Sequence, residues 1–160
     1  MHYGEIYDVW IASTAGKGML SSLQLNVNHA GDNDLKKLLH DYIDQSRQEI
    51  KDCDELLQAN GITPAPSLPE RPSVKLEDIP PGARYTDAEI ANMLAAGTGV
   101  SLTACTQAMS KCTREDIGAM FAKHVAAKTL LANKTLHLLK EKGWLIPPPL
   151  QVKRPETVNV

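Results

Sequence analysis

Six polar side chains of this sequence have the types and spacing of a buried polar or metal-binding layer in a helical protein. In helix bundles, two iron or manganese ions are held by a Glu from each of two helices and by Glu-x-x-His from the other two, because hard cations need bridging carboxylates. The side chains that fall at such positions here are Ser13, Ser46, Glu49, Ser101, His124 and Lys128.

The match to a di-metal site fails on the number of ligands. Residue counting from the same end of the predicted helices places Glu49 level with His124. The Glu-x-x-His positions then hold Ser46-x-x-Glu49 and Phe121-x-x-His124. Serines stand in the places of the two single glutamates, at Ser13 and Ser101. We therefore predict no metal site and no cofactor; a residual metal site would use Glu49 and His124 and would need a further ligand.

A buried polar layer is the simpler interpretation of these residues. Lys128 lies one turn after His124, where its ammonium group neutralises the Glu49 carboxylate, since a buried carboxylate needs such a partner. We expect Glu49, His124 and Lys128 to point inward, within reach of one another. The alternative is a rotated second helix that leaves Glu49 partly solvated. Four further acids are predicted on a solvated outer face of that helix: Asp41, Asp44, Asp52 and Glu55.

No catalytic constellation is evident, and we predict that the protein is not an enzyme. The three cysteines, Cys53, Cys105 and Cys112, lack C-x-x-C spacing and indicate neither a zinc site nor a disulfide framework. The remaining histidines have no Ser or Cys at a fixed spacing and are interpreted as surface residues: His2, His29, His40 and His137.

Four segments with helical apolar spacing must position these side chains. They span residues 3–28, 34–60, 86–110 and 114–142. Thr86 and Glu89 form a capping box at the start of the third segment, and Thr113 is the predicted N-cap of the fourth, with Asp116 at the capping-box position. Trp144 is expected to lie back over the end of the bundle. Residues 1–150 form one predicted domain, and 151–160 a polar tail.

Residues 61–85 connect the second and third segments and hold six of the ten prolines. Prolines at this spacing exclude a helix and favour an extended path that reaches roughly 75 Å, enough to run the length of a bundle. Two antiparallel helix hairpins joined by one long Pro-rich crossover predict an all-α, four-helix bundle of the ferritin-like class.

The third segment has no charged residue between Ile90 and Ser110, so most of its sides must be covered. The crossover, a partner subunit or both would supply the cover, and we predict a dimer that forms through this side of the bundle. A membrane-associated hairpin is the alternative. Asn92, Gln107 and several Ser and Thr residues argue against a membrane partner.

The net charge of −2 gives no basic field for nucleic acid, which we exclude as a partner. The N-terminus has no basic region followed by an apolar run, so no secretory signal is predicted and a cytoplasmic location is expected.

Three stretches of the chain resemble a family of bacterial proteins. They are Glu55-Leu-Leu-Gln-Ala-Asn-Gly61, the Pro-rich crossover, and Leu138-Leu-Lys-Glu-Lys-Gly-Trp144 followed by Pro147-Pro-Pro149. The resemblance, over about residues 5 to 150, is to single-domain proteins of unknown function from spore-forming Firmicutes, related to spore-coat-F-type proteins. It implies a ferritin-like bundle, a cytoplasmic or spore-coat location, other coat proteins as partners and no established reaction.

Two functions are compatible with these features. The first is a non-enzymatic structural or interaction protein with a degenerate metal site, associated with the spore coat or sporulation. The second is a ferritin-like metal-binding protein or di-metal oxidase. The few ligands at the centre favour the first.

Overall fold

The computed structural model describes residues 1–149, which form four long α-helices and two short 3-10 helices with no strand among them. Each end of the long helices lies within one residue of its predicted position, and the predicted tail at 151–160 lies outside the described residues. The long helices are α1 (Tyr3–His29), α2 (Asn33–Ala59), α3 (Asp87–Lys111) and α4 (Glu115–Glu141), and the short ones are Leu76–Asp78 and Pro81–Ala83.

The predicted fold class is confirmed: the chain is an all-α bundle of two antiparallel hairpins, α1–α2 and α3–α4. Between the hairpins, α1 packs on α3 and α2 packs on α4. The start of α1 meets the α3–α4 turn, where the His2 ring lies 3.4 Å from the Lys111 carbonyl oxygen. The α1–α2 turn meets the start of α3. Hence α1 and α4 run in one direction, and α2 and α3 run in the other.

The crossover, residues 61–85, runs the length of the bundle along α1 and the edge of α2. The Lys17 ammonium group donates to the Ala65 carbonyl, 2.6 Å away. Farther along, the Asn28 amide donates to the Pro72 carbonyl at 3.0 Å and accepts from the Val74 N–H at 3.1 Å. Because α1 supplies these groups from one stripe of its surface, the crossover covers that stripe of α1.

The apolar core divides into an upper and a lower cluster. The upper one, near the α1–α2 turn, includes Leu23, Leu39 and Ile90, and Trp144 packs against it as predicted. The lower one includes Val9, Cys53 and Phe121. Five residues of the predicted polar layer lie between these two clusters along their helices: Ser13, Ser46, Glu49, Ser101 and Lys128. The sixth, His124, lies within the lower cluster, between Phe121 and Val125.

Of the two predicted helix N-terminal caps, the one on α3 is observed and the one on α4 is not. Thr86 and Glu89 form the predicted capping box of α3. The predicted cap of α4 is wrong: its N-cap is Arg114, which makes no side-chain capping bond. The Thr113 hydroxyl donates to Glu5 of α1 instead, at 2.9 Å, because that carboxylate from the other hairpin reaches the turn.

Candidate polar site between α2 and α4

Glu49 and Lys128 form an ion pair between α2 and α4 in the middle of the bundle. Their side chains are 14% and 13% exposed, so both are largely removed from water. The Gln45 amide donates to the second carboxylate oxygen of Glu49 at 3.0 Å. The carboxylate therefore has a cation and an amide as partners. The alternative of a rotated α2 that leaves Glu49 partly solvated does not describe this side chain, which lies against α4 and is 14% exposed.

His124 does not join this pair, contrary to the expectation that three side chains would meet. It is 2% exposed, and its Nε2 lies 3.2 Å from Oδ2 of Asp52. The Lys123 ammonium group donates to the same oxygen at 2.9 Å. The reason is register: in antiparallel helices, one turn along α2 from Glu49 meets one turn back along α4 from Lys128.

Asp52 was predicted on the solvated outer face of α2, and this prediction is wrong. Its side chain is only 17% exposed. Burial alone would raise the pKa of this carboxyl, but hydrogen bonds from Lys123, Gln48 and His124 outweigh burial and lower the pKa below its usual range. Asp52 is therefore an ionised partner inside the α2–α4 contact.

These contacts belong to a ladder of acid–base pairs along the whole α2–α4 seam, which we call the α2/α4 ladder. In each rung α2 supplies the acid, and α4 or its C-cap residue supplies the base. The terminal rungs are Asp34 with Lys142, 2.9 Å, and Asp52 with Lys123 and His124. The inner rungs are Asp41 with Lys134, 2.7 Å, and Glu49 with Lys128. Glu49 is thus one rung of this series.

Ser13 lies apart from this seam, so the predicted single layer does not form. Its hydroxyl donates to Asp54 of α2. Lys17, one turn later on α1 and 5% exposed, pairs with Asp54 at 2.8 Å. Because Lys17 also donates to the crossover, this group of side chains joins α1, α2 and the crossover.

Ser46 and Ser101 line a small cavity of about 40 Å³ that Lys128 also borders. Above it, the Tyr42 hydroxyl lies 2.9 Å from both the Thr98 and the Thr135 hydroxyls. A cavity of this size is large enough for about one water molecule. The two serines therefore face a small cavity that Met19, Leu94 and Leu131 also line, and they bind no other side chain of the predicted layer.

A larger cavity of about 190 Å³ lies under the crossover, between α1 and α2. The Arg47 guanidinium group, on α2, pairs with Glu70 of the crossover at 3.2 Å beside this space. Leu20 and Ile50 border it on the bundle side. The cavity is the gap that remains where the extended crossover spans two helices.

The side chains at the centre do not fit a di-metal site. No group of three or more His, Cys, Asp and Glu residues within 1–149 is arranged to hold an ion. The two central acids, Glu49 and Asp52, each pair with a lysine. What this arrangement does chemically is join two helices by paired charges.

Two carboxylates that no local pattern of the sequence indicates join the hairpins at opposite ends of the bundle. Glu5 of α1, 1% exposed, accepts from the backbone N–H groups of Thr113 and Arg114 at 2.8 and 3.0 Å. Asp87 of α3 accepts from the N–H groups of Gly31 and Asp32 at 2.7 and 3.0 Å. Each hairpin thus holds the turn of the other. We call these contacts the turn clamps.

Two histidines also have roles at the ends of the bundle, so the interpretation of them as surface residues is incomplete. His29 is buried, and its Nδ1 accepts from the Tyr85 N–H at 3.2 Å, which fixes the end of the crossover. His2 is the N-cap of α1, where its ring accepts from the Gly4 N–H at 3.0 Å. Ring nitrogens can cap a helix because the first turn has free N–H groups.

The structure gives no sign of a reactive thiol at the centre. Burial raises the pKa of the Cys53 thiol to about 12, with smaller contributions from the charges of Glu49 and Asp52. Burial also raises the pKa of Cys105.

Within residues 1–149, no helix combines the length and the hydropathy that crossing a bilayer requires.

Comparison with known proteins gives one family match and several similar chains. The model of the family described as protein of unknown function, DUF3231, matches residues 1–157. The chain is 44% identical over 154 residues to the uncharacterized protein YvdQ of Bacillus subtilis strain 168. The aligned region covers 96% of this chain and 91% of that protein.

Two solved structures resemble the fold. One is a crystal structure from Bacillus halodurans C-125 described as a putative spore coat protein; it has a TM-score of 0.93 and 38% identity and covers 95% of this chain and 96% of that one. The other, a conserved hypothetical protein from Mycobacterium tuberculosis, has a TM-score of 0.70, 14% identity and coverage of 87% and 99%. At that identity the second likeness concerns the fold alone.

Proposed function

Because the chain belongs to the DUF3231 family of proteins of unknown function, we propose a role that rests on its architecture and not on catalysis. In this proposal it is a non-enzymatic structural or interaction protein of the ferritin-like class, associated with the spore coat or with sporulation. The degenerate metal site of the fold has become a set of ion pairs between helices.

The α2/α4 ladder is the observation that carries the proposal. In ferritin-like di-metal proteins the central carboxylates bridge cations. Here the Glu49 carboxylate faces the Lys128 ammonium group, and Asp52 faces Lys123. A lysine beside each carboxylate supplies the positive charge that a metal would otherwise provide, and it also repels an incoming cation.

The topology and the relatives support the remaining parts of the proposal. A single long crossover between two helix hairpins is the connection that distinguishes ferritin-like bundles. The similar structure from Bacillus halodurans is described as a putative spore coat protein, and the similar YvdQ is a protein of another Bacillus, Bacillus subtilis. Fold alone does not fix function, so the spore association needs its own test.

Fluorescence in sporulating cells tests that association. A fluorescent fusion of this chain is expressed in sporulating Bacillus subtilis, with the free fluorescent protein as a control. We expect the fusion to surround the forespore and to remain on washed spores, whereas the control is lost with the mother cell. A fusion that stays diffuse in the mother cell and is absent from washed spores contradicts the proposal.

A further inference from the structure

The outer surface formed by α1 and α3 together holds several apolar side chains that are open to solvent. Val100 is 73% exposed, Met93 44% and Met19 40%. Met19 and Gly97 adjoin across the groove between the two helices, since a Cβ on Gly97 would lie 3.3 Å from the Met19 methyl group. We define the α1/α3 face by its exposed members: Ile11, Ala15, Met19, Met93, Ala96, Val100 and Ala104.

Charged side chains are missing from this face over most of its length. Residues 90–110 of α3 contain none, and residues 9–28 of α1 contain only Lys17, which is 5% exposed and points to Asp54 and the crossover. The helices on the opposite side of the bundle, α2 and α4, carry the α2/α4 ladder. Depletion of charge is the compositional mark of the buried centre of a protein interface.

No segment of the described chain covers the α1/α3 face. The crossover binds α1 from a different stripe, through Lys17, Ser21 and Asn28. The rim of the face is polar: the Lys111–Asp8 ion pair, 2.8 Å, closes its lower end, and Glu89 stands exposed at its upper end. An apolar centre with a polar rim is the usual anatomy of an interface between proteins.

We propose that the α1/α3 face is the interface of a homodimer, with a second copy of this chain as its occupant. In a two-fold dimer the same patch meets itself, so a charge near the two-fold axis, at the centre of the patch, would face its own copy and be repelled. A face without charges avoids that repulsion. It also offers neither sign of charge to attract an acidic or a basic partner.

The size of the face suits a weak, reversible dimer. Twenty residues of helix span about 30 Å, and two adjacent helices are about 20 Å wide, which gives roughly 600 Å² per copy. The total of roughly 1,200 Å² lies at the lower limit of specific interfaces. Dimerisation is therefore expected at micromolar concentrations, which suits a protein that becomes concentrated in an assembled layer.

This inference deepens the proposed structural role by naming a partner, and it rests on that role only for its biological meaning. The two proposals are tested by different measurements: fluorescence gives the location of the protein in sporulating cells, and sedimentation gives its molar mass. A negative result in one measurement therefore does not decide the other proposal.

Sedimentation equilibrium of the purified chain at concentrations up to about 100 µM tests the inference, since this range populates a dimer that has a micromolar dissociation constant. We expect a reversible monomer–dimer equilibrium. Val100→Asp, which places a charge at the centre of the face, should raise the dissociation constant roughly 100-fold or more. Because Val100 is 73% exposed, this change does not disturb the folded monomer, and circular dichroism verifies that.

Leu130→Asp is the matched control, because Leu130 is 66% exposed but lies on α4, outside the face. It should dimerise like the unchanged chain, and Ala96→Glu should behave like Val100→Asp. A monomer at the highest concentration, or equal weakening by Leu130→Asp and Val100→Asp, overturns the proposal. Binding of the unchanged chain to neutral phosphatidylcholine vesicles with no dimer in solution would identify a membrane as the occupant and also overturns it.

Discussion

The Glu5 carboxylate, near the start of α1, accepts hydrogen bonds from the N–H and the hydroxyl of Thr113, in the α3–α4 turn, at 2.8 and 2.9 Å. The contact joins the first turn of one hairpin to the connection of the other. Asp87 makes the reciprocal contact at the other end of the bundle. The two hairpins are thus held at both ends by carboxylates that satisfy backbone N–H groups, which a helix end otherwise leaves unpaired.

The Glu5 clamp predicts a loss of stability in acid. Burial would raise the pKa of the Glu5 carboxyl, but the N–H groups of Thr113, Arg114 and His2 and the Thr113 hydroxyl lower it to about 2, from an ordinary value of 4.5. Because the folded pKa lies below the unfolded one, this stabilisation is fully present above pH 4.5 and is lost as the pH falls toward 2.

Urea unfolding of Glu5→Gln at several pH values measures this effect. The variant should unfold at a lower urea concentration than the unchanged chain at pH 7, and the difference should shrink below pH 4.5. Glu55→Gln, at an exposed position of α2, is the control and should shift the midpoint little at any pH. A Glu5→Gln midpoint equal to that of the unchanged chain at pH 7 would refute the clamp.

The Glu49–Lys128 rung of the α2/α4 ladder predicts that a single substitution lowers the free energy of unfolding more than the matching double substitution. Lys128→Met leaves the Glu49 carboxylate largely buried without its cation and should lower the free energy of unfolding by about 3 kcal/mol. Glu49→Leu combined with Lys128→Met removes both charges and should recover most of that loss. Thermal unfolding of the three proteins provides the comparison.

Two lysines on α4 give the control for this prediction. Lys128→Ala should destabilise more than Lys140→Ala, because Lys140 is exposed and exposed positions contribute little. Equal melting temperatures for the two alanine variants would show that the Glu49–Lys128 pair contributes nothing to stability.

The crossover should open locally when its contacts with α1 are removed. Asn28→Ala deletes two hydrogen bonds, to the Pro72 carbonyl and from the Val74 N–H. Each hydrogen bond contributes about 1 kcal/mol to the docking of the crossover. The loss of both should therefore raise the rate of tryptic cleavage after Lys75 by roughly tenfold or more. Ser22→Ala is the control, since Ser22 bonds only within α1. Equal cleavage of both variants would contradict this docking.

The cysteines should differ in their reactivity. Burial holds the pKa of Cys53 at about 12, so its reactive thiolate is scarce at pH 8. Cys112 is only partly buried and should be alkylated first by iodoacetamide in the folded protein. Mass spectrometry of peptides locates the label, and Cys53 should acquire it only after unfolding. Labelling of Cys53 at the rate of Cys112 in the folded state would contradict the core assignment.

The sequence predicted the helices and their connection because both depend on local patterns. Apolar residues at steps of three and four define each helix, and the prolines of residues 61–85 exclude an α-helix between them. The prediction of a wholly extended path is wrong at two places, where single-turn 3-10 helices form at Leu76–Asp78 and Pro81–Ala83, because proline is tolerated in a first helical turn. Glycine at the C-terminal end of α2 is a further local signal, and Gly61 indeed has a positive φ of 74°.

The site was harder to predict because its contacts depend on helix register and on distant segments. A shift of one turn decides whether His124 meets Glu49 or Asp52, and residue counting does not resolve one turn. Glu5 and Thr113 are separated by 108 positions, so nothing local pairs them. The pattern of acids on α2 and bases on α4 was visible in the sequence, and antiparallel pairing of the two helices would have indicated the ladder.

The central claim is that ion pairs replace metal at the middle of the bundle, and metal analysis tests it most directly. The purified chain is loaded with iron(II) or manganese(II), dialysed and measured by atomic emission, with Glu49→Gln as the matched variant. We predict far less than one metal ion per chain for both proteins. One or two ions per chain that survive dialysis in the unchanged protein and are lost in Glu49→Gln would contradict the claim and identify a metal-binding or oxidase protein.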